Sequence, residues 1–294
     1  MLGLGRVIAA IERGIAAARR RSRRFDHAWR AADRYGEVLA GRLAAAIAYY
    51  GFFAVFALAL LAYAVLGFVL QRNLAVYAAV GAFLEVNLPW LEPQSIEASS
   101  GQVAFIGIAG LVVTGVGWIE AIRSSQRLVH GVEQQPGNIA VRWLVDLGLL
   151  VALFLLLAVS LATVYALEWL VEELTGGPSV LLATIGWIFS VLVNIVLAAA
   201  LLGGVPRLRL PMRALVPVVL LVGGGITVLN TAGQWVIERV RDNPAYTVMT
   251  SAVAVLLYLY LFNQMLLFGA ALIATSGSGR RTRGETADFV RPSG

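Results

Sequence analysis

An all-α polytopic membrane protein with six transmembrane helices is the fold class this sequence predicts, and three observations predict it. The chain of 294 residues is 59% hydrophobic and only 14% charged, against about 25% charge in soluble domains. Its charged residues are spaced so that six apolar stretches remain, each long enough to supply the ~20 residues that cross a hydrocarbon core. Its 23 basic residues are all arginine and fall mainly on alternate sides of those stretches. An ordinary soluble enzyme and an intrinsically disordered chain are both excluded by this composition.

Residues 1–41 form the first region. Leu4, Ile8, Ile11 and Ile15 recur at helical spacing, predicting an amphipathic helix over residues 2–18. No short apolar core with a small-residue cleavage site follows, so the segment is not read as a signal peptide. Arg19, Arg20, Arg21, Arg23 and Arg24 come next, a cluster suited to anionic lipid headgroups and to fixing topology. Phe25, Trp29 and Tyr35 are expected as interfacial anchors.

The second region, residues 42–275, holds the spans. The first lies between Arg42 and Arg72, the second at Val103–Ile119 and the third between Asp146 and Glu168. The fourth lies within 174–206, the fifth between Arg213 and Glu238, and the sixth between Asp242 and Arg280. No charge falls in the middle of any of them. Backbone groups in hydrocarbon must be satisfied within the element, so each span is expected to be α-helical. A shorter apolar run, residues 74–84, precedes Pro89 and is expected to lie as a helix in the interface. Residues 276–294 are rich in Gly, Ser and Arg and are expected to form a disordered tail.

Arginine placement predicts orientation. Twenty of the 23 arginines fall in the N-terminal region, in the loops after spans two and four, and in the tail. The other side carries Arg72, Arg239 and Arg241, together with Glu85, Glu92, Glu97, Glu168, Glu172 and Glu173. The positive-inside rule then places both termini in the cytoplasm, in accord with an even number of spans.

Catalytic chemistry has little to stand on. Cysteine is absent and the two histidines, His27 and His130, are far apart, so no metal site or cofactor is expected. A P-loop cannot exist without lysine, and neither HExxH nor GxSxG occurs. The informative residues are uncharged polar ones within the spans. Ser190 and Asn194 share a stripe with Gly186 on span four. Thr227, Asn230, Thr231 and Gln234 share a face of span five, beside Gly223, Gly224 and Gly225. Tyr260, Asn263 and Gln264 cluster on span six. Such side chains lose hydrogen bonds if they face lipid and should point inward. They form either interhelical packing contacts or the lining of a polar cavity, with the glycine triplet as a hinge. Glu120 and Asp146, at the ends of spans two and three, are the candidates for charge coupling, or else members of an ion-pair network with Arg123 and Arg142.

The opening LAAAIAYYGFFAVFALALLAYAVLGF and the closing NPAYTVMTSAVAVLLYLYLFNQMLLFGAALIAT resemble the YihY/BrkB family of bacterial inner-membrane proteins, particularly its YhjD-like branch. Tyr49, Tyr50, Asn263, Gln264 and Gly269 carry that resemblance. Two departures stand out: Ala57 where many relatives have proline, and Ala271 where many have glutamate. The resemblance implies six spans and a transporter of envelope lipid or a lipopolysaccharide precursor. The family's old ribonuclease label finds no catalytic residues here. The expected partners are membrane lipids and a lipid-like substrate, not nucleic acid, and a homo-oligomer is compatible with the sequence. The competing reading is a non-transporting scaffold that organises lipid through its basic N-terminal helix.

Overall fold

The computed structural model describes residues 13–72, 93–135, 137–156, 180–240 and 247–276. Residues 13–21 are largely helical. There follow α1 (Arg23–Glu37), α2 (Ala40–Leu70), α3 (Pro93–His130), α4 (Ile139–Leu156), α5 (Val180–Ala199), α6 (Met212–Val240) and α7 (Thr247–Ala274). No strand occurs among the described residues. Six helices, α2 to α7, are long and apolar enough to cross a membrane. The interfacial run 74–84, residues 2–12 of the amphipathic segment and the tail beyond residue 276 lie outside the described residues.

Two helices extend past the apolar stretches that announced them. Helix α3 continues to His130, so Arg123 and Arg127 sit on its last turns and not in a loop. Helix α4 starts at Ile139 and takes Arg142 and Asp146 inside. The physical reason is that a charge ends the hydrocarbon crossing but not the backbone hydrogen bonding, and arginine is a good helix former.

Local signals set the other boundaries. Ser22 caps α1, its Oγ accepting from the Phe25 N–H at 3.3 Å, which satisfies one of the orphan donors of a helix start. Leu39, at φ 52°, turns the chain from α1 into α2. Helix α5 widens into a π-turn at Ala200–Gly204, where the Val205 N–H donates to the Ala200 carbonyl at 3.1 Å. Helix α6 runs unbroken through Pro217 and the glycine triplet.

The chain divides into two compact units. One comprises Ile47–Ala121 and Gly137–Ala152. Within it α2 and α3 approach closely at Gly107, where a Cβ would stand 3.1 Å from the Leu61 nitrogen. Ala57 lies against Gly110, a small-on-small contact of the kind that lets membrane helices pack.

The other unit comprises Met1–Ala46, Ile122–Pro136 and Leu153–Gly294. Its core is α6 packed against both α5 and α7. A Cβ on Gly269 would stand 2.8 Å from the Val222 side chain. Helix α1 lies along α7, with Tyr35 and Phe268 edge to face at 6.1 Å. Four segments meet at one end of this unit. Arg34 of α1 donates to the Leu128 and Val129 carbonyls at the end of α3, both at 2.9 Å. The Gln126 amide donates to Leu201 in the π-turn at 3.0 Å, and Arg127 to Pro206 at 3.1 Å. His27 donates to the Leu272 carbonyl of α7 at 2.8 Å.

Candidate functional site

Inside the second of these units, three helices share a polar network. The Asn194 amide of α5 donates to Thr227 Oγ1 of α6 at 3.0 Å, and Asn230 donates to Asn194 Oδ1 at 3.4 Å. Tyr258 of α7 donates to Asn230 Oδ1 at 2.5 Å. Thr227 itself donates back to the Gly223 carbonyl at 3.0 Å. Asn194 is 6% exposed. These amides therefore answer one another across helices, which removes the penalty of an unpaired polar group in an apolar bundle.

Towards one end of the same helices the polar stripe is uncovered. Ser190 on α5 and Thr231 and Gln234 on α6 are exposed. Thr231 donates to the Thr227 carbonyl at 3.0 Å, within its own helix. The stripe is thus closed by hydrogen bonds at Asn194 and Asn230 and open above them.

The expected partners on the last span divide into two groups. Tyr258 joins the network, whereas Tyr260 and Gln264 face the other way, towards α1. Gln264, Tyr35, Gly41, Met265 and Phe268 line a separate pocket of about 360 Å³. A Cβ at Gly41 would come within 3.8 Å of the Tyr35 hydroxyl and 3.9 Å of the Tyr260 hydroxyl. Burial pushes the Tyr35 phenol above its ordinary pKa. Asn263 is fully buried and donates to the Leu259 carbonyl at 2.7 Å. Spans four to six therefore do not pool all their polar side chains in one cavity.

The glycine triplet, expected as a hinge, serves close packing at two of its positions. A Cβ on Gly223 would lie 2.9 Å from the Ile195 Cα, and one on Gly225 would overlap the Met265 side chain. Gly224 faces open space.

Among the charged candidates, Asp146 is 1% exposed and Glu120 is half-buried, and each makes polar or electrostatic contacts. Arg142 and Arg123 are both buried. Of the basic cluster, Arg20, Arg21, Arg23 and Arg24 are exposed, while Arg19 bonds Asp26 at 2.9 Å. Phe25 packs near Trp29 with ring centroids 6.0 Å apart. Among the described residues no group of three histidines or carboxylates is placed to hold a metal ion.

Sequence reasoning missed Tyr258 and the carbonyl-capping side chains Arg34, Gln126 and Arg127. Tyr258 and Tyr260 are equivalent in composition and differ by about 200° around the helix, so only the rotation of α7 chooses between them.

The family profile described as virulence factor BrkB matches residues 31–290. The chain belongs to the BrkB family. This BrkB-family chain is 26% identical over 271 residues to the inner membrane protein YhjD of Escherichia coli (strain K12), covering 85% of this chain and 80% of YhjD. It is 25% identical over 281 residues to an uncharacterized protein of Dickeya dadantii (strain 3937), covering 85% and 83%. No solved structure matches it. A multi-pass membrane protein of the BrkB family is the shared conclusion of its helices and its relatives.

Proposed function

We propose that this BrkB-family protein resides in the bacterial inner membrane and moves an amphipathic, lipid-like substrate along the polar stripe between α5, α6 and α7. The observation that carries the reading is the stripe itself: hydrogen-bonded shut at Asn194, Thr227, Asn230 and Tyr258, and exposed at Ser190, Thr231 and Gln234. A substrate with a polar head could exchange its own hydrogen bonds for those of the network as the helices part. Interhelical bonds of this kind average only about 0.6 kcal/mol, small enough to break reversibly. No enzymatic step is part of the proposal.

Both termini are cytoplasmic in this reading. Support comes from the four segments that meet at one end, since α1, the end of α3, the π-turn and the end of α7 belong to the arginine-rich side.

The test uses the full chain in proteoliposomes with fluorescent phosphatidylglycerol as probe. Wild type should speed its passage between leaflets, and the double variant Asn194→Leu/Asn230→Leu should lose that acceleration while retaining its helical content and thermal transition. Unchanged passage with the folded double variant would overturn the stripe as the route. A scaffold or lipid-organising role is the second reading, favoured by the exposed Arg20, Arg21, Arg23 and Arg24. It expects no acceleration by wild type, and loss of the preference for anionic over zwitterionic lipid around the protein when residues 1–24 are removed.

A further inference from the structure

A second feature stands apart from the polar stripe, at the opposite ends of α5 and α6. Ile195, Ala199 and Gly203 lie four residues apart on α5 and its π-turn, and Met212, Val216 and Leu220 lie four apart on α6. Positions at that spacing share a helix face, so the two rows form the walls of one groove. Its volume is about 700 Å³, within the ~300–1,000 Å³ typical of ligand sites. The small side chains of Ala199 and Gly203 keep it deep, and Met212, Val216 and Leu220 stay exposed along it.

The loop over its mouth alternates. Leu208 and Leu210 are half-buried and line the groove, whereas Arg207 and Arg209 are exposed. Arg209 also contributes to the lining, and Arg213 is exposed one residue beyond Met212. No acidic residue occurs anywhere between Glu173 and Glu238. Among the described residues no carboxylate lies within ion-pair distance of Arg209 or Arg213. Among the described residues, the apolar trough thus ends at a rim where Arg209 and Arg213 have no ion-pair partner.

We propose that this groove is a binding site for an anionic glycerophospholipid, one acyl chain lying between α5 and α6 and the phosphate held by Arg209 and Arg213. Charge complementarity selects the headgroup, and the two apolar rows select the chain. Basic pockets beside membrane helices bind anionic headgroups by the same combination. The inference concerns binding alone and does not rest on the transport reading.

The experiment titrates dioleoyl phosphatidylglycerol into the full chain in nonionic detergent and counts bound lipid by native mass spectrometry. Phosphatidylglycerol should bind more tightly than dioleoyl phosphatidylcholine, and glycerol 3-phosphate should fail to displace it. Arg209→Gln and Arg213→Gln should each weaken binding roughly fivefold, and about thirtyfold together, from the ~1 kcal/mol attributed to each basic residue near a headgroup. Arg209→Lys/Arg213→Lys should restore most of it. Leu220→Trp, which fills the groove at an exposed position, should weaken binding with both arginines intact. Equal retention of the two lipids, or no effect of the double glutamine variant, would overturn the proposal. Full displacement by glycerol 3-phosphate, or unaltered binding by Leu220→Trp, would remove the acyl chain from the site and overturn it equally.

Discussion

Gly223 and Gly224 are neighbours of identical composition with opposite surroundings. A Cβ on Gly223 meets the α5 backbone at Ile195, which cannot move aside as a side-chain tip could. Gly223→Ala should therefore destabilise by about 1–3 kcal/mol, the usual cost of overpacking. Gly224→Ala should instead stabilise by roughly 0.5–1 kcal/mol, because nothing obstructs it and alanine favours the helix. Thermal unfolding in detergent distinguishes them. Equal effects would mean that the triplet acts as one flexible unit. Asp26 offers a second test. Its hydrogen bond with Arg19, helped by the nearby Arg30, holds the carboxyl below its ordinary value of 3.8. A depressed carboxyl favours the folded contact above that value and loses it as pH falls through the lower folded pKa. Amide exchange over residues 13–21, taken relative to the intrinsic rate at each pH, should stay constant from pH 8 to 5 and rise in stronger acid. Asp26→Asn should raise it already at neutral pH.

Among the helices, the end of α3 depends on side chains from elsewhere. The last carbonyls of a helix have no intrahelical donor, and Arg34 serves two of them, at Leu128 and Val129. Its cationic guanidinium also suits the negative end of the helix dipole. Arg34→Ala should cost about 1–3 kcal/mol by leaving partly buried acceptors unpaired, whereas alanine at the exposed Arg24 should change the unfolding temperature little. The π-turn in α5 follows the same logic. Widening the turn leaves the Leu201 carbonyl available, and Gln126 fills the vacancy. Neither partnership can be found from hydrophobic periodicity, because it joins residues 75 positions apart in one case and 94 in the other. The extent of α3 and α4 beyond their apolar stretches was hidden for a different reason, that arginine extends a helix as readily as it ends a crossing.

For the whole molecule, topology is the quantity to measure. Reporter fusions at residue 1 and after residue 276 should both report cytoplasm, and a fusion in the segment between α4 and α5 should report the opposite side. Reporters on opposite faces for the two ends would sink the orientation and the proposed route with it. The number of spans was legible because a membrane crossing is a one-dimensional property: about 20 apolar residues in sequence, whatever their neighbours. Asn194, Thr227 and Asn230 were legible as inward-facing for a related reason, since lipid offers no hydrogen bonds, whereas Ser190, Thr231 and Gln234, expected to face inward with them, are exposed. How those residues pair was not legible.

By itself the sequence determined a membrane bundle of six helices and the family to which the chain is related. Only the tertiary structure decided that Asn230 takes Tyr258 and leaves Tyr260 to face Tyr35, that two glycines of the triplet seat other helices, and that an apolar groove opens beneath Arg209. Partition into lipid depends on what a segment contains, and so can be read along the chain. Pairing depends on the rotation and approach of helices distant in sequence, which no stretch of residues specifies alone.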